Sequence, residues 1–265
     1  MNSSPAAPPV CAVLIGASGR MGRAILTVAG EFPQLVFVAA IASKGSAALG
    51  RDSGVLGGGA PNRVPLTSDL SQALKRAHVV LDFSGAAATH TNLAACRMAR
   101  KPLLLGSTGY PAQLEADLSA AALDIPLLIA PNTSLGVTLL LELARTAARA
   151  LPAFRASIIE KHHREKRDAP SGTALALADA LREGRAAGRT SATGLEIPIS
   201  SQREGELVGE HTVQFAGPGE ELVLAHRATD RAIFARGALA AALWLAPQPA
   251  GRYAMRDLLY GKTAT

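Results

Sequence analysis

Aromatic residues and cysteines are scarce in this chain of 265 residues, and long apolar runs are absent. Aromatics make up 4% of the residues and hydrophobic residues 48%, so a core must be built from alanine, leucine, valine and isoleucine. The charged content of 18% is ordinary for a globular protein and excludes a disordered chain. The two cysteines, Cys11 and Cys96, form no metal-type spacing and no disulfide framework. We expect both to be buried thiols, as suits a reducing compartment.

Membrane and nucleic-acid partners also lack their sequence signals. No apolar run is long enough to span a bilayer, and residues 1–9 have neither the basic start nor the apolar middle of a signal peptide. We therefore expect residues 1–9 to be a disordered tail and the chain to be cytoplasmic. The net charge is +6, but the basic residues are scattered and aromatic platforms are few. This pattern favours a small anionic ligand over nucleic acid.

A glycine-rich turn follows the first apolar run. Cys11–Ile15 is typical of a strand buried on both faces, and it leads directly into Gly16-Ala17-Ser18-Gly19-Arg20-Met21-Gly22. A helix is predicted from Arg23 to about Glu31. Glycines spaced in this way between a strand and a helix let the backbone approach a pyrophosphate at the helix N-terminus. The turn therefore predicts a dinucleotide site.

The acidic residue that closes the second strand of NAD-preferring sites is missing. The predicted strand Val36–Ile41 is followed by Ala42, Ser43 and Lys44, without a carboxylate. A hydroxyl and a cation suit a 2′-phosphate better than they suit the ribose hydroxyls of NAD. We therefore predict that NADPH is used at least as well as NADH.

Short strands and helices alternate through the first half of the chain, after a glycine-rich loop at residues 45–65. Strands are predicted at His78–Phe83, Pro102–Leu105 and Ile125–Ala130, and helices at Asp69–Ala77, Ala86–Arg100 and Pro111–Leu123. This alternation predicts a Rossmann-like, doubly wound parallel sheet. Ligands bind such sheets outside the carboxyl ends of the strands. The predicted crevice is lined by Gly16–Gly22, Phe83-Ser84, Gly106–Thr108 and Ala130–Thr133.

The second half lacks the strand–helix alternation of the first half, and its pattern predicts an α+β domain. A long helix at Leu135–Ala150 is followed, further on, by the predicted antiparallel strands Glu210–Phe215 and Leu222–His226 and the buried helix Ala232–Leu245. We assign residues 10–134 to the dinucleotide-binding domain and residues 135–240 to a second domain. Residues 241–265 are expected to return to the first domain.

Ionisable residues are densest between Glu160 and Asp168. Ile158-Ile159 predicts a strand that enters this stretch, and the stretch itself is interpreted as a polar loop. Pro170 ends the loop, Ser171 is a predicted N-cap, and a helix follows over Thr173–Leu181. A solvated surface loop is the alternative, but the flanking strand and helix cap favour a functional site. The helix start offers backbone N–H groups to an anion.

These stretches together resemble the dihydrodipicolinate reductase family, and the resemblance spans nearly the whole chain. It is carried by five further segments besides the Gly16–Gly22 turn: Glu160–Ala174 with its H-H-x-x-K…D-x-P-S-G-T pattern, Val208–Thr212, Phe234–Leu239, Trp244-Leu245 and Met255–Asp257. The resemblance implies NAD(P)H-dependent reduction of the cyclic dicarboxylate derived from 4-hydroxy-tetrahydrodipicolinate, in lysine and diaminopimelate biosynthesis. It also implies a homotetramer that associates through the sheet of a substrate-binding second domain.

The resemblance further implies roles for individual residues. His162 and Lys166 match the catalytic proton donors, and His163, Gly172 and Thr173 match the substrate-carboxylate site. The implied cofactor contacts are Gly16, Ala17, Ser18, Gly19, Arg20, Met21, Gly106, Ser107, Thr108, Ala130, Pro131, Asn132 and Thr133. Ser43 and Lys44 are added to them from the residues that follow the second strand. Two positions depart from the family: Ala42 replaces an acidic residue, and Thr133 stands where some members have an aromatic. No metal is expected.

Other functions share parts of this pattern. A different nicotinamide oxidoreductase, acting on an amino or imino acid, would keep the Gly16–Gly22 turn but would not need the Glu160–Thr173 run. A dinucleotide-sensing regulator would need a partner or DNA-binding surface, and no recognition-helix pattern is present. A zinc site at His162 and His163 lacks a third ligand at suitable spacing. Arg231 is assigned either to the cofactor side or to the subunit interface.

Overall fold

The computed structural model describes residues 8–188 and 196–261. Its strands are β1 Val10–Ile15, β2 Leu35–Ile41, β3 Leu66–Thr67, β4 Val79–Asp82, β5 Leu103–Leu105, β6 Pro126–Ile129, β7 Arg155–His162, β8 Ile199–Arg203, β9 Gly209–Gly217, β10 Glu220–Ala228 and β11 Gly251–Tyr253. Its helices are α1 Arg20–Val28, α2 Ser53–Leu56, α3 Leu70–Leu74, α4 Ala86–Met98, α5 Leu114–Ala122, α6 Leu135–Ala150, α7 Gly172–Gly188, α8 Ala232–Leu245 and α9 Met255–Tyr260.

The N-terminal residues and the helices bear on the expected tail and on the expected absence of a membrane span. The predicted tail at residues 1–9 lies outside the described residues, apart from Pro8 and Pro9, which are exposed. No helix in the described part of the chain is long and apolar enough to cross a membrane.

The contacts divide the chain into two units. The first contains the residues up to Thr133 together with those from Phe234 onward, and the second contains Ser134–Ile233. The boundary after the second unit therefore falls seven residues before the one assigned from the sequence, between residues 233 and 234 instead of 240 and 241.

The first unit contains a parallel sheet in the order β11-β6-β5-β4-β1-β2-β3, and this confirms the predicted Rossmann-like architecture. Its central strands are buried and, apart from Asp82 at the end of β4, apolar, as expected where helices cover both faces of a parallel sheet. The carboxyl ends of all the strands therefore lie at one edge. Cys96 is fully buried in the core, but the expectation for Cys11 is wrong, because β1 leaves this residue partly exposed.

Two local expectations in the first unit are wrong. Helix α1 begins at Arg20, three residues earlier than predicted, and ends at Val28 before a short 3-10 turn. The expected loop at residues 45–65 contains the short helix α2, because Asp52 caps it by accepting hydrogen bonds from Gly54 N at 2.9 Å and Val55 N at 3.1 Å.

The second unit contains a four-stranded sheet in the order β10-β9-β7-β8. Strands β9 and β10 are antiparallel, as predicted. Strand β8, which pairs parallel with β7, was not predicted, because its sequence Ile-Ser-Ser-Gln-Arg offers a single apolar residue. Helices α6 and α7 pack on one face of this sheet, where their buried leucines and alanines meet Ile158, Val213 and Phe215.

Candidate active site

The charge-dense stretch begins inside the sheet of the second unit. Strand β7 continues through His162, so the interpretation of Glu160–Asp168 as a loop is wrong for its first three residues. Side chains alternate along a strand, and β7 buries Ala156, Ile158, Glu160 and His162 on one face. The polar end of this face carries a carboxylate and an imidazole, both more than nine-tenths buried.

Glu160 is a fully buried carboxylate that has a cationic partner and a backbone hydrogen-bond donor. Its Oε1 accepts hydrogen bonds from the Arg203 guanidinium at 2.9 Å and from the Ser171 backbone N–H at 3.1 Å. Burial alone raises the pKa of Glu160, but hydrogen bonds from Ser171, Ser201 and Arg203 outweigh burial and lower this pKa to about 2. Glu160 is therefore an ionised buried carboxylate at neutral pH.

His162 lies between this carboxylate and a glycine on the next strand. Its Nδ1 is 2.9 Å from Glu160 Oε2. A Cβ added to Gly209 would lie only 2.9 Å from His162 Nε2, so the absence of a side chain at residue 209 leaves room for the ring. Burial lowers the pKa of His162, the Glu160 carboxylate opposes that shift, and Lys166 and Arg203 add to it. The neutral imidazole is therefore the favoured form near pH 7.

His211 completes the buried cluster. It lies opposite Glu160 in the β7–β9 register, and its ring packs edge-on against that of His162 with centroids 5.1 Å apart. Its Nε2 is 3.2 Å from Ser171 Oγ, the hydroxyl that caps α7. Burial, with a smaller contribution from His162, lowers the pKa of His211 to about 4.

Three possible metal ligands meet here, a set that the sequence argument about His162 and His163 did not consider. Donor atoms of Glu160, His162 and His211 all lie within 4.8 Å of one another, and two histidines with a glutamate form a known zinc ligand set. The carboxylate, however, is already neutralised by the Arg203 guanidinium at 2.9 Å. A divalent cation would add two uncompensated charges in a buried place, which strongly disfavours it.

Lys166 lies in the connection that follows β7. Its Nζ donates to both carboxylate oxygens of Asp168, each at 2.8 Å. Its backbone N–H donates to His163 O at 3.2 Å, which closes a turn. The Lys166 side chain is 22% exposed, so this cation is more accessible than the imidazole of His162.

Helix α7 begins where this connection ends. Ser171 caps it through Oγ, which accepts a hydrogen bond from Ala174 N at 3.2 Å, as predicted from the sequence. Gly172 and Thr173 form its first turn. The single connection from β7 to α7 thus brings together the predicted proton donors and the predicted carboxylate-binding residues, His162, His163, Lys166, Gly172 and Thr173.

A cleft of about 630 Å³ lies beside this connection in the second unit. It is lined by His163, Arg164, Glu165, Gly205, Glu206 and Arg231. Arg231 is therefore on the same cleft as His163, and the lining contains two arginines and two glutamates.

The glycine-rich turn of the first unit has the shape that a dinucleotide needs. Gly16 has a φ of +83°, and a Cβ there would lie 2.5 Å from Phe83 O at the end of β4. Its N–H and that of Ala17 donate to Ile41 O, which places the turn beside the end of β2, where Ser43 and Lys44 follow. Helix α1 starts after Gly19, which has no side chain to cap it, and no acidic residue lies in its first turn. Ser18, Arg20 and Met21 lie at this helix start, which fits a pyrophosphate.

The other predicted cofactor residues follow β5 and β6 at the same edge of the sheet. They are Gly106, Ser107, Thr108, Ala130, Pro131, Asn132 and Thr133. Two of their hydroxyls are bonded to the backbone: Ser107 Oγ accepts from Gly85 N at 2.9 Å, and Thr133 Oγ1 donates to Phe234 O at 2.6 Å. Both residues are buried, and these hydrogen bonds fix their side chains.

The first unit combines a parallel sheet with a dinucleotide-type turn. The second unit buries an ionised carboxylate between two histidines, with a lysine in the adjoining loop. These features together are those of a nicotinamide-dependent oxidoreductase. Models of two family halves match the chain: dihydrodipicolinate reductase, N-terminus, over residues 10–133, and dihydrodipicolinate reductase, C-terminus, over residues 136–259. The chain belongs to the dihydrodipicolinate reductase family, whose members use NAD(P)H.

Individual relatives agree with this assignment. The chain is 45% identical to the 4-hydroxy-tetrahydrodipicolinate reductase of Alkalilimnicola ehrlichii, over 93% of this chain and 97% of that one. It is 42% identical to the enzyme of the same name from Anaeromyxobacter dehalogenans, over 93% and 96%. The fold matches that of a dipicolinate-bound dihydrodipicolinate reductase from Paenisporosarcina sp. TG-14, with a TM-score of 0.77 and 23% identity over 93% of this chain and 97% of that one.

Proposed function

We propose that this protein reduces 4-hydroxy-tetrahydrodipicolinate (dihydrodipicolinate) to tetrahydrodipicolinate with NAD(P)H, in lysine and diaminopimelate biosynthesis. The observation that carries the proposal is the β7–α7 segment, which joins the buried Glu160–His162 pair, Lys166 and the start of α7 within fourteen residues, 160 to 173. Relatives of that name at 42% and 45% identity support the choice of substrate.

The connection suits a substrate with two carboxylates. The first turn of α7, at Gly172 and Thr173, lies at the positive end of a helix of 17 residues. His163 lines a cleft with Glu165, Glu206, Arg164 and Arg231, and the two guanidinium groups are potential partners for a carboxylate. We assign one carboxylate of the substrate to Gly172, Thr173 and His163.

The proton donors are the second part of the mechanism. The chemistry that NAD(P)H would supply when bound is a hydride for the conjugated imine, and the reduced product would then need a proton. Lys166 is an accessible ammonium group and donates that proton, with Asp168 holding its Nζ in place. His162 is the second proton-carrying group, but burial lowers its pKa and keeps it neutral, and its Nδ1 lies 2.9 Å from Glu160 Oε2, so we assign it the smaller contribution.

The test of this function is turnover of the freshly formed aldol product of pyruvate and aspartate semialdehyde, followed as NADPH oxidation. We expect oxidation that depends on the aldol product, and none when aspartate semialdehyde is left out. A folded protein that binds NADPH but gives no turnover would contradict the proposal and favour an amino- or imino-acid oxidoreductase, or a dinucleotide sensor.

The cofactor preference can be measured in the same assay. Ser43 and Lys44 follow β2 without an acidic neighbour and are exposed, so we expect kcat/KM with NADPH to equal or exceed that with NADH. Lys44→Ala should lower kcat/KM with NADPH more than with NADH, because it removes a partner of the 2′-phosphate. Lys75→Ala, which removes an exposed lysine at the end of α3, is the matched control. A tenfold or larger preference of the wild type for NADH would contradict the prediction.

The homotetramer is likewise a proposal. Strand β10 is at the edge of the second unit's sheet, and it exposes Leu222 at 37% and Val223 at 47%. Apolar residues at an exposed sheet edge favour association. Sedimentation equilibrium should give four chains per particle, and Leu222→Lys together with Val223→Lys should lower that number. A wild-type monomer would contradict the proposal.

A further inference from the structure

Arg203 joins the sheet to the loop that carries Lys166. It lies opposite His162 in the β7–β8 register, and its side chain is 18% exposed. Its Nη2 donates to Glu160 Oε1 at 2.9 Å and to Asp168 O at 2.5 Å, and its Nε donates to Lys166 O at 3.3 Å. One guanidinium therefore contacts the buried carboxylate and two backbone carbonyls of the loop.

The two loop contacts are made at the residue that we assign as the proton donor and two residues after it. Arg203 holds the carbonyl of Lys166 itself and that of Asp168, the residue whose carboxylate holds Lys166 Nζ. Arg203 thus binds both ends of the 166–168 segment to β8, and this segment sets the direction of the Lys166 side chain. A planar guanidinium can make these bonds in fixed directions at the same time, whereas a lysine ammonium is a single point charge.

We propose that Arg203 is a positioning residue that acts through Lys166 by holding the 166–168 segment against the sheet. The proposal rests on the proposed function, because it needs Lys166 to deliver the proton. The competing explanation is that Arg203 only neutralises the buried charge of Glu160 and so supports the fold.

Arg203→Lys separates the two explanations, because it keeps a cation beside Glu160 but cannot make all of the loop bonds. A displacement of about 1 Å in a reacting group lowers the rate by as much as 10²-fold. We therefore expect Arg203→Lys to lower kcat by about 10- to 100-fold and to leave the Kd for NADPH unchanged. Arg227→Lys is the matched control, since Arg227 pairs with Glu210 at a side chain that is 65% exposed. It should leave kcat unchanged.

A double-mutant cycle with Lys166→Ala supplies the deciding measurement. If Arg203 acts through Lys166, Arg203→Lys should cause no further loss of kcat in the Lys166→Ala background. An equal loss in both backgrounds, or a wild-type kcat in Arg203→Lys, would overturn the proposal while leaving the proposed function intact. If Lys166→Ala itself keeps the wild-type kcat, the proton-donor assignment fails and the Arg203 proposal fails with it. Absence of turnover in the wild type would instead reject the function.

Discussion

Replacing Lys166 by alanine is expected to lower kcat by about 10²- to 10⁴-fold, the usual contribution of a general acid. The Lys166 ammonium group is partly exposed, and Asp168 fixes its direction through two bonds of 2.8 Å. The nearby alternative donor, His162, is held neutral by burial and faces Glu160. Because the proposed mechanism has Lys166 act on the product of hydride transfer, its loss should reduce kcat and leave the Kd for NADPH unchanged.

The control for this prediction lies on the same strand–loop segment. Lys161 belongs to β7, and strand alternation turns it away from the face that holds Glu160 and His162. We expect Lys161→Ala to retain the wild-type kcat and His162→Ala to lower kcat by at least about tenfold. If neither Lys166→Ala nor His162→Ala lowers kcat by more than about tenfold, with both proteins folded, the assignment of the proton donors is wrong.

The first unit could be predicted from the sequence because its signals are local. Each strand is a short apolar run, each helix follows within a few residues, and parallel pairing puts all the strand ends at one edge. The Gly16 turn is equally local, since its positive φ depends on the absence of a side chain at that residue. What the sequence could not show is the direction of the Ser107 and Thr133 side chains, whose backbone partners are Gly85 and Phe234.

The buried cluster of the second unit was only partly predictable. His162 and Lys166 lie in a dense motif, but Arg203 and His211 reach it through strand pairings that no local pattern specifies. Glu160 was missed for another reason: dense charge suggested a loop. The alternation Ala156, Ile158, Glu160, His162 is a period-two signal that would have extended the strand and placed the carboxylate in the core.

Glu160 should therefore be one of the most sensitive positions in the chain, for stability as well as for activity. Glu160→Gln keeps the size of the side chain but leaves the Arg203 guanidinium without its carboxylate. Removal of one partner of a buried ion pair destabilises a protein by about 3–5 kcal/mol. We expect a loss of that order in the free energy of unfolding at pH 7, measured by urea denaturation, together with a lower kcat, because Arg203 also holds the Lys166 loop.

The pH dependence of this loss follows from the sign of the pKa shift. The pKa of Glu160 is lowered to about 2 in the folded protein, and that of an unfolded glutamate is about 4.3. Ionised Glu160 thus stabilises the wild type fully above about pH 4.3, and this contribution, roughly 3 kcal/mol, is lost as the pH falls towards 2. In Glu160→Gln this part of the acid sensitivity should be absent, so the stability difference from the wild type should shrink with falling pH.

Glu183→Gln is the control for Glu160→Gln, because it removes the charge of an ion-paired glutamate that is exposed instead of buried. Glu183 pairs with Arg145 at 2.9 Å, but its side chain is 60% exposed. Exposed pairs contribute about 0–1 kcal/mol, so this variant should unfold nearly as the wild type does at every pH. If Glu160→Gln, like Glu183→Gln, changes the free energy of unfolding by less than about 1 kcal/mol, the Glu160 carboxylate does not stabilise the protein as a buried ion-pair partner. The Arg203–Glu160 and Glu160–His162 contacts would then not be what holds this part of the second unit together.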